Sequence, residues 1–192
     1  MALLRPIMPY LKTAILIFLG SIALGFFGSL FFPGLIGQLF NSVFSMLEDL
    51  GREILVEQPP LQGTITLFFH NLRAVAGSII FGAALGIFPV IGMVINGALL
   101  GVVMGFAAAG RASFLTIVAG ILPHGIIEIP ALVIGAGAGL YLGWGVFNKR
   151  LWPGYKQAGI NAAKVLLLCA VMLAMAAVIE VNITPLVLNL TQ

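Results

Sequence analysis

Six polar side chains stand inside stretches that are otherwise apolar: His70, Asn71, Arg73, Asn96, His124 and Glu128, with Glu180 near the end of a further apolar run. His124 and Glu128 are four residues apart, so on a helix they share a face one turn apart. An imidazole and a carboxylate so placed could relay a proton, hold a cation or neutralise a guanidinium such as that of Arg73. A catalytic zinc asks for more, namely three protein ligands and an open position. This pair supplies two, and His70 becomes a third only if the fold carries it there. No HExxH, GxSxG, P-loop or CxxC motif occurs, and Ser78, Ser113 and Thr116 have no activating base at a recognisable spacing. The expectation is a protein with no catalytic residue, no resident metal (His124 and Glu128 come nearest to a ligand pair) and no cofactor.

The elements that position these groups follow from composition. Of 192 residues, 61% are apolar and 8% charged, with 24 glycines, whereas in soluble domains about a quarter of residues are charged. A disordered chain, a coiled coil and a disulfide scaffold are excluded on the same figures, the last because Cys169 is the only cysteine. The net charge of +3 is scattered, with no basic block interleaved with aromatics, so no nucleic-acid partner is expected. An all-α, polytopic transmembrane bundle remains, with the lipid bilayer as its first partner.

Runs of roughly 20 apolar residues cross the hydrocarbon, which places about five spans near residues 10–32, 65–88, 90–109, 114–142 and 162–181 of a single integral membrane domain. With the amino terminus inside, Arg5, Lys12, Lys149, Arg150, Lys156 and Lys164 fall inside, and Arg52, Arg111 and Arg73 toward the outside. The cation bias therefore predicts a multi-pass protein of the cell membrane with its carboxyl terminus outside, where the sequons at Asn182 and Asn189 would also lie. A span over 114–142 would measure about 43 Å against a core of about 30 Å. Pro123, flanked by Gly120 and Gly125, predicts a broken fourth helix with parts Phe114 to Leu122 and Ile126 to Leu142; a re-entrant hairpin is the alternative. Over 35–57, Ile36, Phe40, Val43, Leu47, Leu50 and Ile54 recur at helical spacing opposite Gln38, Asn41, Ser45, Glu48, Asp49, Arg52 and Glu53. This is an amphipathic helix, lying at the outer interface or docking a partner. Its acidic face argues against a role in seeking anionic lipid.

Small residues recur every fourth position in four rows: Ser21, Gly25, Ser29; Ser78, Gly82, Gly86; Gly97, Gly101, Gly105; and Gly135, Gly139, Gly143. Such rows let helices approach closely, and one left over would serve a homo-oligomer. An unpaired charge at mid-bilayer costs roughly 2.5 to 3.5 kcal/mol or more, so Arg73 and Glu128, both expected near mid-depth, are expected to pair. The polar cluster reads in three ways: glue between helices, a translocation or ligand site, or a catalytic or metal site.

The stretch Ile121-Leu-Pro-His-Gly-Ile-Ile-Glu-Ile-Pro-Ala131 resembles the signature of the stage II sporulation protein M family of integral membrane proteins. His70-Asn-Leu-Arg73, the glycine-rich run ending at Pro89, and Asn96-Gly97 extend the resemblance over about 68–143. It implies about five spans and no established enzymatic activity. The sporulation member of that family anchors cell-wall hydrolases, the stage II sporulation proteins D and P, during engulfment. Carried over by the resemblance are Asn71, Arg73, Asn96, His124 and Glu128, with no catalytic role. The expected function is a membrane scaffold for other membrane or cell-wall proteins. A small permease with a mid-membrane polar site is the alternative, and an intramembrane metallohydrolase a third class.

Overall fold

The computed structural model describes residues 4–110, 113–147 and 152–189, save for the side chains at 47, 48, 55, 56, 114, 116, 124, 146, 188 and 189. The described residues are helical, without strands: α1 (Met8–Phe31), α2 (Pro33–Arg52), α3 (Pro60–Gly82), α4 (Ile87–Ala108), α5 (Phe114–Trp144), α6 (Tyr155–Asn182) and a short α7 (Thr184–Asn189). Five of these, α1, α3, α4, α5 and α6, are long and apolar enough to cross a membrane.

The breaks between helices have local causes. Phe32 leaves the helical region (φ −130°, ψ 53°) and Pro33 restarts the chain as the first residue of α2, where a missing N–H is harmless. The inward side of α2 carries Ile36, Phe40, Val43, Phe44 and Leu50 part-buried, leaving Leu35, Leu39, Asn41, Ser45, Met46 and Asp49 exposed. A π-turn, Glu53–Glu57, follows, and buries Ile54 against Gly63. Gln58 closes it by donating from Nε2 to Glu53 Oε1 at 3.0 Å, before Pro59 and Pro60 launch α3.

Two sequence expectations are corrected here. The second span was expected to run to residue 88, but α3 ends at Gly82. Residues 83–86 form a turn in which Leu85 (φ 57°) and Gly86 (φ 71°) are left-handed. Gly86 is required there, since a Cβ would lie 2.8 Å from Trp144 Nε1, and that same nitrogen donates to Leu85 O at 2.6 Å. The fourth span was expected to break at Pro123, yet α5 runs unbroken from Phe114 to Trp144 through both Pro123 and Pro130. Each proline withholds one N–H, from the carbonyls of Ala119 and Ile126. Leaving the helix within lipid would orphan several more backbone groups, so continuity wins. An uninterrupted helix also sets aside the re-entrant hairpin.

The glycine rows determine the packing. Gly97, Gly101 and Gly105 of α4 lie successively against Phe18, Ile22 and Phe26 of α1, and a Cβ at Gly97 would sit 2.6 Å from Phe18 O. Both sets of numbers advance together, so α1 and α4 are parallel. A second parallel seam sets Gly135 on Val75, Gly139 on Ser78 and Gly143 on Gly82, joining α5 to α3. Antiparallel α6 closes on α5 through Ala158, Ala162, Val165, Cys169 and Leu173, all buried. There Asn161 Nδ2 donates to the Tyr141 hydroxyl at 3.5 Å and the Cys169 thiol to Ala131 O at 3.4 Å. Lipid tails are as apolar as these surfaces, so the seams hold by dense van der Waals contact rather than by escape from water. All four rows are thereby engaged within the bundle.

Candidate functional site

A cleft of about 310 Å³ lies between α1, α4 and α5. Asn96 and Glu128 line it among Phe18, Leu100, Gly125 and Leu132, and Phe44 of α2 closes one side. Glu128 is half-buried. Asn96 satisfies its amide within its own helix, donating from Nδ2 to Gly92 O at 2.9 Å. The cleft is therefore an apolar slot with two polar side chains. Among the described residues its lining suits an acyl chain or small apolar body with one polar end.

His70, Asn71 and Arg73 do not line it. Asn71, 8% exposed, is on the buried side of α3, and its Nδ2 finds no acceptor among the described residues. His70 and Arg73 are on the exposed side of the same helix. The side chain of His124 lies outside the described residues, as do those of Leu47, Glu48, Thr116 and Asn189 and the whole of Arg111, Lys149 and Arg150. Among the described residues no three His, Cys, Asp or Glu side chains come together as a metal cage. Gly120, Pro123 and Gly125 do not mark a helix break; Gly125 instead lines the cleft.

The expected Arg73–Glu128 ion pair does not form. Arg52 pairs with Asp49 at 3.6 Å and with Glu57 at 3.4 Å. The α3–α5 register gives the reason. Val75 packs on Gly135, so Arg73 is level with about residue 133 of α5, some five residues or about 7 Å along the axis from Glu128. Glu128 faces the α1/α4 side, whereas Arg73 faces away from the bundle. The two charges meet different surroundings.

Sequence reasoning passed over the end of the bundle nearest Trp144. Tyr10, Tyr141, Trp152 and Tyr155 form a chain of ring contacts there, with successive centroids 5.7, 5.6 and 5.5 Å apart. Trp152 and Tyr155 are close neighbours in the sequence. Tyr10 and Tyr141 are 131 residues apart in the sequence, and no local pattern joins them. At the other end Glu180 accepts a hydrogen bond from Thr184 at 2.9 Å, which ties α6 to α7.

No curated protein and no solved structure matches the chain. A family model does, over residues 12–185, which takes in α3, α4, α5 and α6, nearly all of α1, and the residues lining the cleft. With its five apolar helices closed by glycine seams and its polar residues divided between a cleft and two helix faces, the chain belongs to the stage II sporulation protein M family.

Proposed function

We propose that this chain is a non-enzymatic membrane scaffold that recruits other membrane or cell-wall proteins, cell-wall hydrolases among them, through α2. The observation that carries this reading is the contrast between the bundle and that helix. The spanning helices are locked by backbone-level contacts along both seams, whereas α2 has one inward face and presents Leu35, Leu39 and Met46 beside Asp49, Arg52 and Glu53. An exposed row of apolar side chains bordered by charge is the composition of a protein-binding face. Membership of the family supports the same reading, since its sporulation member anchors hydrolases. Orientation follows from the cation bias, with the amino terminus inside and α2 on the outer side.

Photo-crosslinking in native membranes tests it. A crosslinking amino acid at Leu39 or Met46 is expected to give discrete protein adducts identifiable by mass spectrometry, and one at Leu167, on the exposed face of α6, to give none. Adducts to lipid alone at all three positions would end the proposal.

The cleft favours a second reading, a small permease using Asn96 and Glu128. That reading requires purified protein in sealed vesicles to move a proton or small solute and to lose the flux on Glu128→Gln.

A further inference from the structure

Three cations of three different helices come to one depth. Packing partners give the levels along α5: Val75 on Gly135 places Arg73 near residue 133, and Leu11 beside Gly137 places Lys12 near residue 136. Asn161 with Tyr141 and Cys169 with Ala131 place Lys164 near residue 137. The spread is about four residues, or about 6 Å. All three side chains are exposed, and among the described residues no carboxylate pairs with any of them. The acids lie elsewhere: Asp49, Glu53 and Glu57 in α2 and its π-turn, Glu128 at the cleft, and Glu180 where α6 meets α7.

What surrounds these cations identifies the anion. Toward the nearer end of the bundle the part-buried Trp144 and Trp152 and the exposed Tyr155, with Trp152 packed on the buried Tyr141, make up the aromatic belt of a membrane–water interface. On the other side the exposed surface is apolar, with Ile15, Leu16 and Leu19 on α1 and Leu167 and Val171 on α6. Long basic side chains just inside such a belt lay their stems along the acyl region and lift their charge to the headgroups. The anions fixed at that depth are lipid phosphates. A cation there without a protein counter-charge is therefore matched to an anionic headgroup.

We propose that Lys12, Arg73 and Lys164 form a cationic collar that binds the headgroups of anionic phospholipids around the Trp144 end of the bundle. Arg73 is then a lipid ligand rather than half of a buried ion pair. The inference needs only that the five helices span a bilayer, and it stands whether or not α2 recruits a protein.

The two tryptophans of the chain, Trp144 and Trp152, both belong to this end and serve as reporters. Protein in phosphatidylcholine vesicles is titrated with brominated phosphatidylglycerol or, separately, with brominated phosphatidylcholine, and quenching gives the relative affinity. At about fivefold per cation near the surface, the wild type is expected to prefer the anionic lipid at least fivefold. The triple variant Lys12→Gln, Arg73→Gln, Lys164→Gln is expected to lose most of that preference, and Arg73→Lys to keep it. Should the triple variant not fold, by circular dichroism, each single Gln substitution is expected to lower the preference severalfold. Equal quenching by both lipids in the wild type, or an unaltered preference in folded Gln variants, would overturn the proposal. So would a preference abolished by millimolar inorganic phosphate, which would assign the cations to a soluble anion.

Discussion

The α1–α4 seam makes its sharpest prediction at Gly101. A Cβ there would run into the carbonyl oxygen of Ile22 and lie 2.8 Å from the amide nitrogen of Phe26. Both are backbone atoms of a hydrogen-bonded helix and cannot rotate aside, so Gly101→Ala must push α1 and α4 apart. The contacts at Gly97 and Gly105, one turn away on either side, loosen with it. Overpacking of this kind costs about 1 to 3 kcal/mol, a five- to 150-fold change in the unfolding equilibrium. Gly92 on the same helix is the control, because nothing lies within 4 Å of its added Cβ. The gain in helix propensity from Gly to Ala, about 1 kcal/mol in water, largely cancels for both sites when the unfolded state in detergent keeps its helices. Gly92→Ala should therefore fall within about 0.5 kcal/mol of wild type. Unfolding in mixed micelles by added dodecyl sulfate, followed by the fluorescence of Trp144 and Trp152, measures both. Equal stability of the two variants, or a Gly101→Ile protein as stable as wild type, would refute the claim that backbone contact closes this seam.

Other outcomes follow from single contacts. Trp144→Phe removes the hydrogen bond to Leu85 O but keeps a ring, and should lower stability in the same assay by about 1 kcal/mol. Asn71→Leu replaces a buried amide whose Nδ2 has no acceptor among the described residues; stability should be unchanged or rise by about 1 kcal/mol, and a loss beyond that would mean the amide is bonded. A double-mutant cycle on Arg73→Ala and Glu128→Ala should show a coupling energy within about 0.5 kcal/mol of zero, where the ion pair expected from sequence would give several times that. Glu180→Gln should keep the hydrogen bond from Thr184 in part, and Thr184→Val should remove it; faster proteolysis of the carboxyl-terminal segment is expected for Thr184→Val alone.

How much of this was legible in the sequence differs from element to element. Five apolar helices, the amphipathic stretch after the first, and the family itself were readable because each rests on local chemistry. The length of an apolar run, the spacing of Ile36, Phe40 and Val43, and the Pro-His-Gly-x-x-Glu-x-Pro string all lie within a few turns of chain. The end of α3 was misplaced because Gly82-Ala-Ala-Leu-Gly86 is as apolar as the helix before it. Its turn is held by Trp144, 59 residues after Leu85. The break expected at Pro123 does not occur because a proline's lost hydrogen bond is a local penalty, and the alternative in lipid is a larger loss of backbone bonds.

The polar residues show the same division. Their cost in an apolar span can be read from residue type alone, but a partner cannot, since it depends on the register of two helices and the face each turns inward. Val75 on Gly135 determines that register, separating Arg73 from Glu128 and raising Arg73 to the level of Lys12 and Lys164. The glycine rows likewise announced that helices would touch. Which rows meet was settled only in three dimensions, where Gly101 reaches Ile22 and Gly143 reaches Gly82, because any small-residue row can seat any other and only the whole bundle's packing selects among them.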